Sequence, residues 1–189
     1  MRLTEQVHDY LDTHLKPGNR AIDATAGNGH DTVQLAKLVG SSGNVIAIDI
    51  QPNAIEATER QLQAKGLLQQ TELRIGDHAE ILQTLCKEFT QTISAITFNL
   101  GYLPGSDKRV QTNPDTTLHA LDASRELLKP DGHLLVTTYR GHDGGQAEAD
   151  RVAEWMLKIR ENGWAVESHE PDTRDTERKP PILWITRKN

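Results

Sequence analysis

The sequence predicts an α/β domain: a seven-stranded, mostly parallel sheet with an antiparallel last strand and helices on both faces. Three observations carry this. Apolar strand-like runs alternate with amphipathic helical runs five times in succession, the pattern of parallel strands joined by right-handed helical crossovers. The first of these strands enters a helix through a glycine-bearing turn, "AIDATAGNGHDT" (21–32). The last two strands are joined only by "PDTRDTERKPP", too short and too proline-rich for a crossover, so they pair antiparallel.

The elements follow in order. Leu3, Val7, Leu11 and Leu15 recur every four residues and form one face of an opening helix, which "KPG" stops. "RAIDA" (20–24) is the first strand, and "DTVQLAKLVG" a helix ending at Gly40. "NVIAIDI" (44–50) is continuously apolar, as a strand covered on both faces should be. "PNAIEATERQLQAKG" begins with Pro at a first helical position and stops at Gly66. "TELRI" (71–75) is a third strand, followed by "GDH" and the helix that holds Cys86. "SAITFNL" (94–100) is the fourth strand; after a polar loop a helix runs through "TLHALDASRELLKPDG". "HLLVTTY" (133–139) is the fifth strand, then come the loop "RGHDGG" and the helix "QAEADRVAEWMLKIRENG". "WAVESHE" and "PILWITRK" are the closing pair.

Composition narrows the class. A chain of 189 residues forms one domain, 1–189, able to bury a core without staples. A net charge of −6 speaks against a globally basic nucleic-acid binder, while leaving room for a local basic patch. The single cysteine excludes an intramolecular disulfide and suits a reducing cytosol, with Cys86 read as a plain core thiol. The segment "MRLTEQVHDYLDTHL" is charged throughout, no apolar run approaches the roughly 20 residues of a membrane span, and a cytoplasmic location is expected. Cys and His residues form no clustered ligand set, so no metal is expected.

The candidate site gathers at strand ends. Gly27 and Gly29 permit close approach of backbone to a ligand, yet Thr25 stands where a dinucleotide fingerprint would place its first glycine. The turn therefore fits a sulfonium with its amino-acid tail better than a pyrophosphate. Asp23 is placed either to organise the turn or to accept from an ammonium, and Asn28 and Asp31 offer further polar contacts. Asp49, twenty residues past Gly29, stands where a carboxylate accepts from the ribose hydroxyls of NAD or S-adenosyl-L-methionine, with Gln51 beside it. Asp77 and His78 fall where an adenine ring would lie, although Asp77 equally suits a helix N-cap.

The run "FNLGYLPGSDK" (98–108) ends the fourth strand, next to the first in a sheet whose order reverses there. Asn99 offers a carbonyl for an amine N–H, and Tyr102 a ring to stack on a flat base; the same residues also fit an ordinary strand-ending turn. Gly101, Lys108, Arg140 and His142 are expected on the substrate side. Lys108, Arg109, Arg140, Arg174, Arg178 and Lys179 make a phosphate-binding rim if their loops converge, and dispersed surface charge if they do not.

Five βα units closed by an antiparallel pair is the layout of a Rossmann-like class I methyltransferase. Asn99 and Tyr102 keep the spacing of the Asn/Asp-Pro-Pro-Tyr motif of amino-directed methyltransferases, with Leu100 and Gly101 replacing the prolines. "AIDATAGNGHDT", "AIDIQ", "GDH", "FNLGYLPGSDK", "YRGHDGG" and "RKPPILWITRK" together resemble the rRNA-methylase-like family, similar to the MnmM-type tRNA 5-aminomethyl-2-thiouridine methyltransferases. The resemblance implies methyl transfer from S-adenosyl-L-methionine to the aminomethyl nitrogen of wobble uridine 34, within a tRNA anticodon stem-loop. By motif, Asn28, Asp31, Asp49, Gln51, Asp77 and His78 would contact the cofactor, and Asn99 and Tyr102 the acceptor. An rRNA base amine is the nearest alternative substrate. A nicotinamide-dependent oxidoreductase and a non-catalytic RNA-positioning subunit are the alternatives of other classes. An alkyl amine must shed a proton before it attacks, and Asp107, His142 and Asp143 lie in loops from which to take it, none ranked as catalytic. No membrane partner is expected, and a homodimer is compatible with the sequence without being implied by it.

Overall fold

The computed structural model describes residues 3–101, 112–171 and 179–189. In chain order these form α1 (Leu3–His14), β1 (Arg20–Asp23), α2 (His30–Val39), β2 (Asn44–Asp49), α3 (Pro52–Ala64), a 3₁₀ turn (Leu68–Gln70) and β3 (Thr71–Ile75). They continue with α4 (His78–Phe89), β4 (Ile93–Leu100), α5 (Pro114–Leu127), β5 (Leu128–Thr138), α6 (Gly145–Glu161), β6 (Ala165–His169) and β7 (Ile182–Arg187).

The seven strands make one sheet in the order β3-β2-β1-β4-β5-β7-β6. β1 to β5 are mutually parallel, and β7 is antiparallel to both β5 and β6. Side chains alternate across the sheet, so neighbours in sequence serve opposite layers. Ile22, Ile46 and Ile96 pack under α4, α5 and α6, while Ala21, Val45 and Ala95 pack under α1, α2 and α3. The leucine and valine face read at the start of the chain is buried: Leu3, Val7, Leu11 and Leu15 sit against Val33, Leu35 and Ala36 of α2. Among the described residues no helix is long and apolar enough to cross a membrane.

One boundary moves. The helix expected through Gly132 stops at Leu127, and Leu128 already belongs to β5, paired with Ile93 before a register shift. Pro130 has no N–H to continue a helix, and Lys188 Nζ fills the gap by donating to Arg125 O and Leu128 O, both at 2.8 Å. Cys86 is half-buried; its thiol lies 3.5 Å from Ala123 O and burial pushes its pKa up to about 11, which leaves it inert.

Candidate active site

The strand order reverses between β1 and β4, and the turn after β1 is built from both sides of that point. Ala24 N donates to Thr97 O (2.9 Å) and Ala26 N to Ile48 O (2.8 Å), so the turn bridges β4 and β2. Asp23 is 0% exposed. Its Oδ1 accepts from Thr25 N (3.3 Å) and its Oδ2 from Thr32 Oγ1 (2.6 Å). Burial, with the Asp31 carboxylate nearby, pushes its pKa up to about 7. Of the two roles open to Asp23, the geometry matches the organiser of the turn.

Asp49 holds the turn from the next strand. Its Oδ2 accepts from Gly27 N and its Oδ1 from Gln51 N, each at 2.9 Å, and the carboxylate remains half-buried. Helix α3 closes over the outside: Thr58 Oγ1 donates to Gly27 O (3.1 Å) and Gln61 Nε2 to Asn28 O (3.0 Å). Gly29 has φ +80°, and a Cβ there would lie 2.9 Å from Thr58 Cα, so only glycine fits. Asn28 is exposed on the crest of the turn.

Asp77 caps α4, accepting from Ala79 N at 2.7 Å, the N-cap role anticipated for it. His78 sets its ring edge-on to Phe98, burial lowers its pKa, and its buried Nε2 has no partner among the described residues. Ile50 and Ile75, at the carboxyl ends of β2 and β3, are 56% and 58% exposed. The sequence reading missed both; the available signal was an apolar residue standing directly after a charged one at each strand's end, Asp49–Ile50 and Arg74–Ile75. Two exposed apolar side chains, an orphaned buried imidazole nitrogen and the Asp49 carboxylate, an acceptor, thus gather at the carboxyl ends of β2 and β3, polar and apolar groups of the kind that can receive a nucleoside.

Across the reversal point, Asn99 is fixed twice. Its backbone N donates to Thr25 Oγ1 and its side-chain Nδ2 to Asp31 Oδ2, both at 2.7 Å. Thr25 thus stands in the turn to anchor β4. Asp31, 6% exposed in the first turn of α2, also accepts from His8 Nε2 of α1 at 2.7 Å. Both of its oxygens are therefore engaged within the protein, and His8 is a residue the sequence reading passed over.

Gly101 faces the start of the β5–α6 loop: a Cβ there would lie 3.4 Å from both Tyr139 Cβ and His142 Nε2. His142 Nδ1 donates to Asp143 O (2.9 Å). Burial, with a contribution from Asp31, raises the Tyr139 phenol pKa. Glu148, 2% exposed, accepts from Thr112 Oγ1 and Thr117 Oγ1 (2.6 Å each) and ties α5 to α6 beside this loop. Arg140 is spoken for: Nε donates to Pro180 O (2.6 Å) and Nη2 to Glu170 Oε2 (3.1 Å). It braces β5 against the segment leading to β7, so of the two readings open to it these contacts match a structural role. Lys179 Nζ donates to Gln146 Oε1 (2.8 Å). Tyr102, Lys108, Asp107, Arg109, Arg174 and Arg178 lie outside the described residues. A cleft of about 310 Å³ lined by Arg20, Ser94 and Lys129 opens at the amino ends of the strands, the opposite end from this site.

The family described as "Putative rRNA methylase" matches residues 45–187. The chain belongs to this family. A member of the same description from Clostridium thermocellum, of known structure, is 35% identical with a TM-score of 0.90, covering 98% of this chain and 97% of that one. SMU.1697c from Streptococcus mutans, solved in complex with SAH, is 34% identical with a TM-score of 0.84, covering 100% of this chain and 99% of that one. The chloroplastic tRNA (mnm(5)s(2)U34)-methyltransferase of Arabidopsis thaliana is 35% identical over 171 residues, 86% of this chain; the chain spans 62% of that relative's length. A match to the protein-L-isoaspartate(D-aspartate) O-methyltransferase family covers residues 2–83, the part that carries the glycine turn and Asp49. By family and fold this is a Rossmann-like, S-adenosylmethionine-dependent methyltransferase.

Proposed function

We propose that the chain methylates the aminomethyl nitrogen of 5-aminomethyl-(2-thio)uridine at tRNA position 34, giving the 5-methylaminomethyl nucleoside. The observation that carries the reading is the Asn99 side chain. With Nδ2 given to Asp31, the amide presents Oδ1 as an acceptor, and no described residue fills it. A carbonyl there accepts one N–H of an incoming amine and turns the nitrogen lone pair towards the glycine turn. Bound S-adenosylmethionine supplies an electrophilic methyl group on a sulfonium. Transfer would form one N–C bond as the C–S bond breaks, with the electron pair leaving on sulfur and the amine's proton passing to solvent.

The chain's own residues divide the work. Asp49, Ile50, Ile75 and His78 hold the adenosine, with Gln51 beside Asp49 and Asn28 at the crest of the turn. Asp23, Thr25, Gly27 and Gly29 shape that turn, and Asn99 orients the acceptor. Tyr102, next to Gly101 in sequence, keeps the role of stacking on the uracil. The tRNA substrate is supported by the Arabidopsis relative, and the anticodon stem-loop follows from the position of uridine 34.

The test is conversion in vitro. Purified protein, S-adenosylmethionine and tRNA carrying 5-aminomethyl-2-thiouridine should yield the methylaminomethyl nucleoside by mass spectrometry, and Asn99→Ala should cut turnover by about 100-fold with cofactor affinity held within about threefold. No conversion by the wild type, or methylation of rRNA base amines instead, overturns the proposal.

A further inference from the structure

We propose that His8, on α1, is a positioning residue for methyl transfer: through the chain His8–Asp31–Asn99 it fixes which end of the Asn99 amide meets the acceptor. The inference rests on the N-methyltransferase reading above. An amide is nearly symmetric in shape but opposite in chemistry at its two ends. With Oδ1 outward, Asn99 accepts from the amine; with Nδ2 outward, it would donate into the lone pair that must attack. The choice is made by Asp31, which as a carboxylate only accepts and so draws Nδ2 to itself at 2.7 Å.

Asp31 in turn depends on His8. The carboxylate is 6% exposed, so little water is available to solvate it. It faces the buried Asp23 carboxyl, a like charge, and Tyr139 also lies within its field. The one described donor on its other oxygen is His8 Nε2, at 2.7 Å. That bond fixes the carboxylate in rotation and offsets the repulsion from Asp23. The imidazole answers to Asp31 from α2 and to Asp9 and Asp12 of its own helix; the Asp31 hydrogen bond is the main cause of its raised pKa. Its helix is held independently, by Leu3, Val7 and Leu11 in the core against α2, so the side chain is delivered by a rigid element and is not needed to dock it.

The experiment compares wild type, His8→Ala and His8→Gln. Turnover on aminomethyl-tRNA is followed at one pH, cofactor affinity by calorimetry, melting temperature by scanning, and the Asn99 side-chain amide by ¹⁵N NMR. His8→Ala should lower kcat about 10- to 100-fold, with cofactor Kd within about threefold. It should also shift the Asn99 amide signals, as the Asp31 carboxylate loses the donor that holds it in place. His8→Gln keeps an N–H donor at a similar reach and should recover most of kcat and the wild-type amide signals. Wild-type kcat and amide signals in His8→Ala would sink the proposal. So would His8→Gln as impaired as His8→Ala with both melting lower, which marks a packing role. A wild type that transfers no methyl group to this tRNA defeats the functional reading on which the inference rests, a failure separate from either of these.

Discussion

Asp49→Ala tests the cofactor reading where its two consequences separate. The Asp49 carboxylate accepts from Gly27 N and Gln51 N at 2.9 Å each. A hydrogen bond to a charged group contributes about 1.5–3 kcal/mol, and partial exposure of this one favours the lower end. Losing both costs the fold about 2–3 kcal/mol, or roughly 4–12 °C in Tm at about 2–4 °C per kcal/mol for a chain of this size. The same carboxylate is assigned the ribose hydroxyls. Two such bonds total about 3 kcal/mol, so the Kd for S-adenosylmethionine should rise on the order of 100-fold. Calorimetry below the melting transition reads the second effect free of the first. A lower Tm with Kd unchanged within about threefold would reduce Asp49 to a brace of the turn and refute its cofactor role.

Three further outcomes are expected. Gly29→Ala places a Cβ 2.9 Å from Thr58 Cα at φ +80°. Left-handed strain of about 1–2 kcal/mol plus overpacking of about 1–3 kcal/mol should lower Tm by roughly 4–20 °C, and an unchanged melt contradicts the packing described. Asp23 holds its proton longer folded than unfolded, so its contribution is fully present below the ordinary 3.8 and is lost as pH rises through about 7. Wild-type Tm should therefore lose ground across that window relative to Asp23→Asn, and parallel profiles would show that Asp23 does not titrate there. Arg140→Ala should cost about 1 kcal/mol, roughly 2–4 °C, while leaving the salt dependence of tRNA binding unchanged. A shallower slope, by about 0.7–0.9, would return Arg140 to the phosphates.

What was legible in the sequence is what periodicity and chain punctuation encode. Glycine and proline marked the ends of α2 and α3, and the missing helix between β6 and β7 gave the antiparallel closure. Asn99 was visible because a polar residue interrupts the apolar run of β4 one position before its end, and topology alone sets that end beside the first turn. Contacts between distant segments were not legible. His8 lies twenty-three residues before Asp31, on the flank of a helix whose pattern reports only its apolar face. Arg140 looked like free surface charge because Pro180 and Glu170 reach it only once β7 returns beside β5. Ile50 and Ile75 read as ordinary strand residues, since periodicity cannot distinguish an apolar side chain awaiting a ring from one in the core.

The place of β7 has a bearing on how the chain assembles. It is the last of the described strands in chain order, yet it lies inside the sheet, with Trp184 paired to Val136 of β5 on one side and to Ser168 of β6 on the other. Until it arrives, a nascent polypeptide with five parallel strands in place presents the bare edge of β5, including Leu134, Leu135 and Val136, and β6 has nothing to pair with. The sheet is thus completed by insertion, with a seam left open until residues 182–187 have been made. A chain cut short of residue 182 would carry that apolar seam permanently, and should be recovered as aggregate even though the residues assigned to the cofactor are all present.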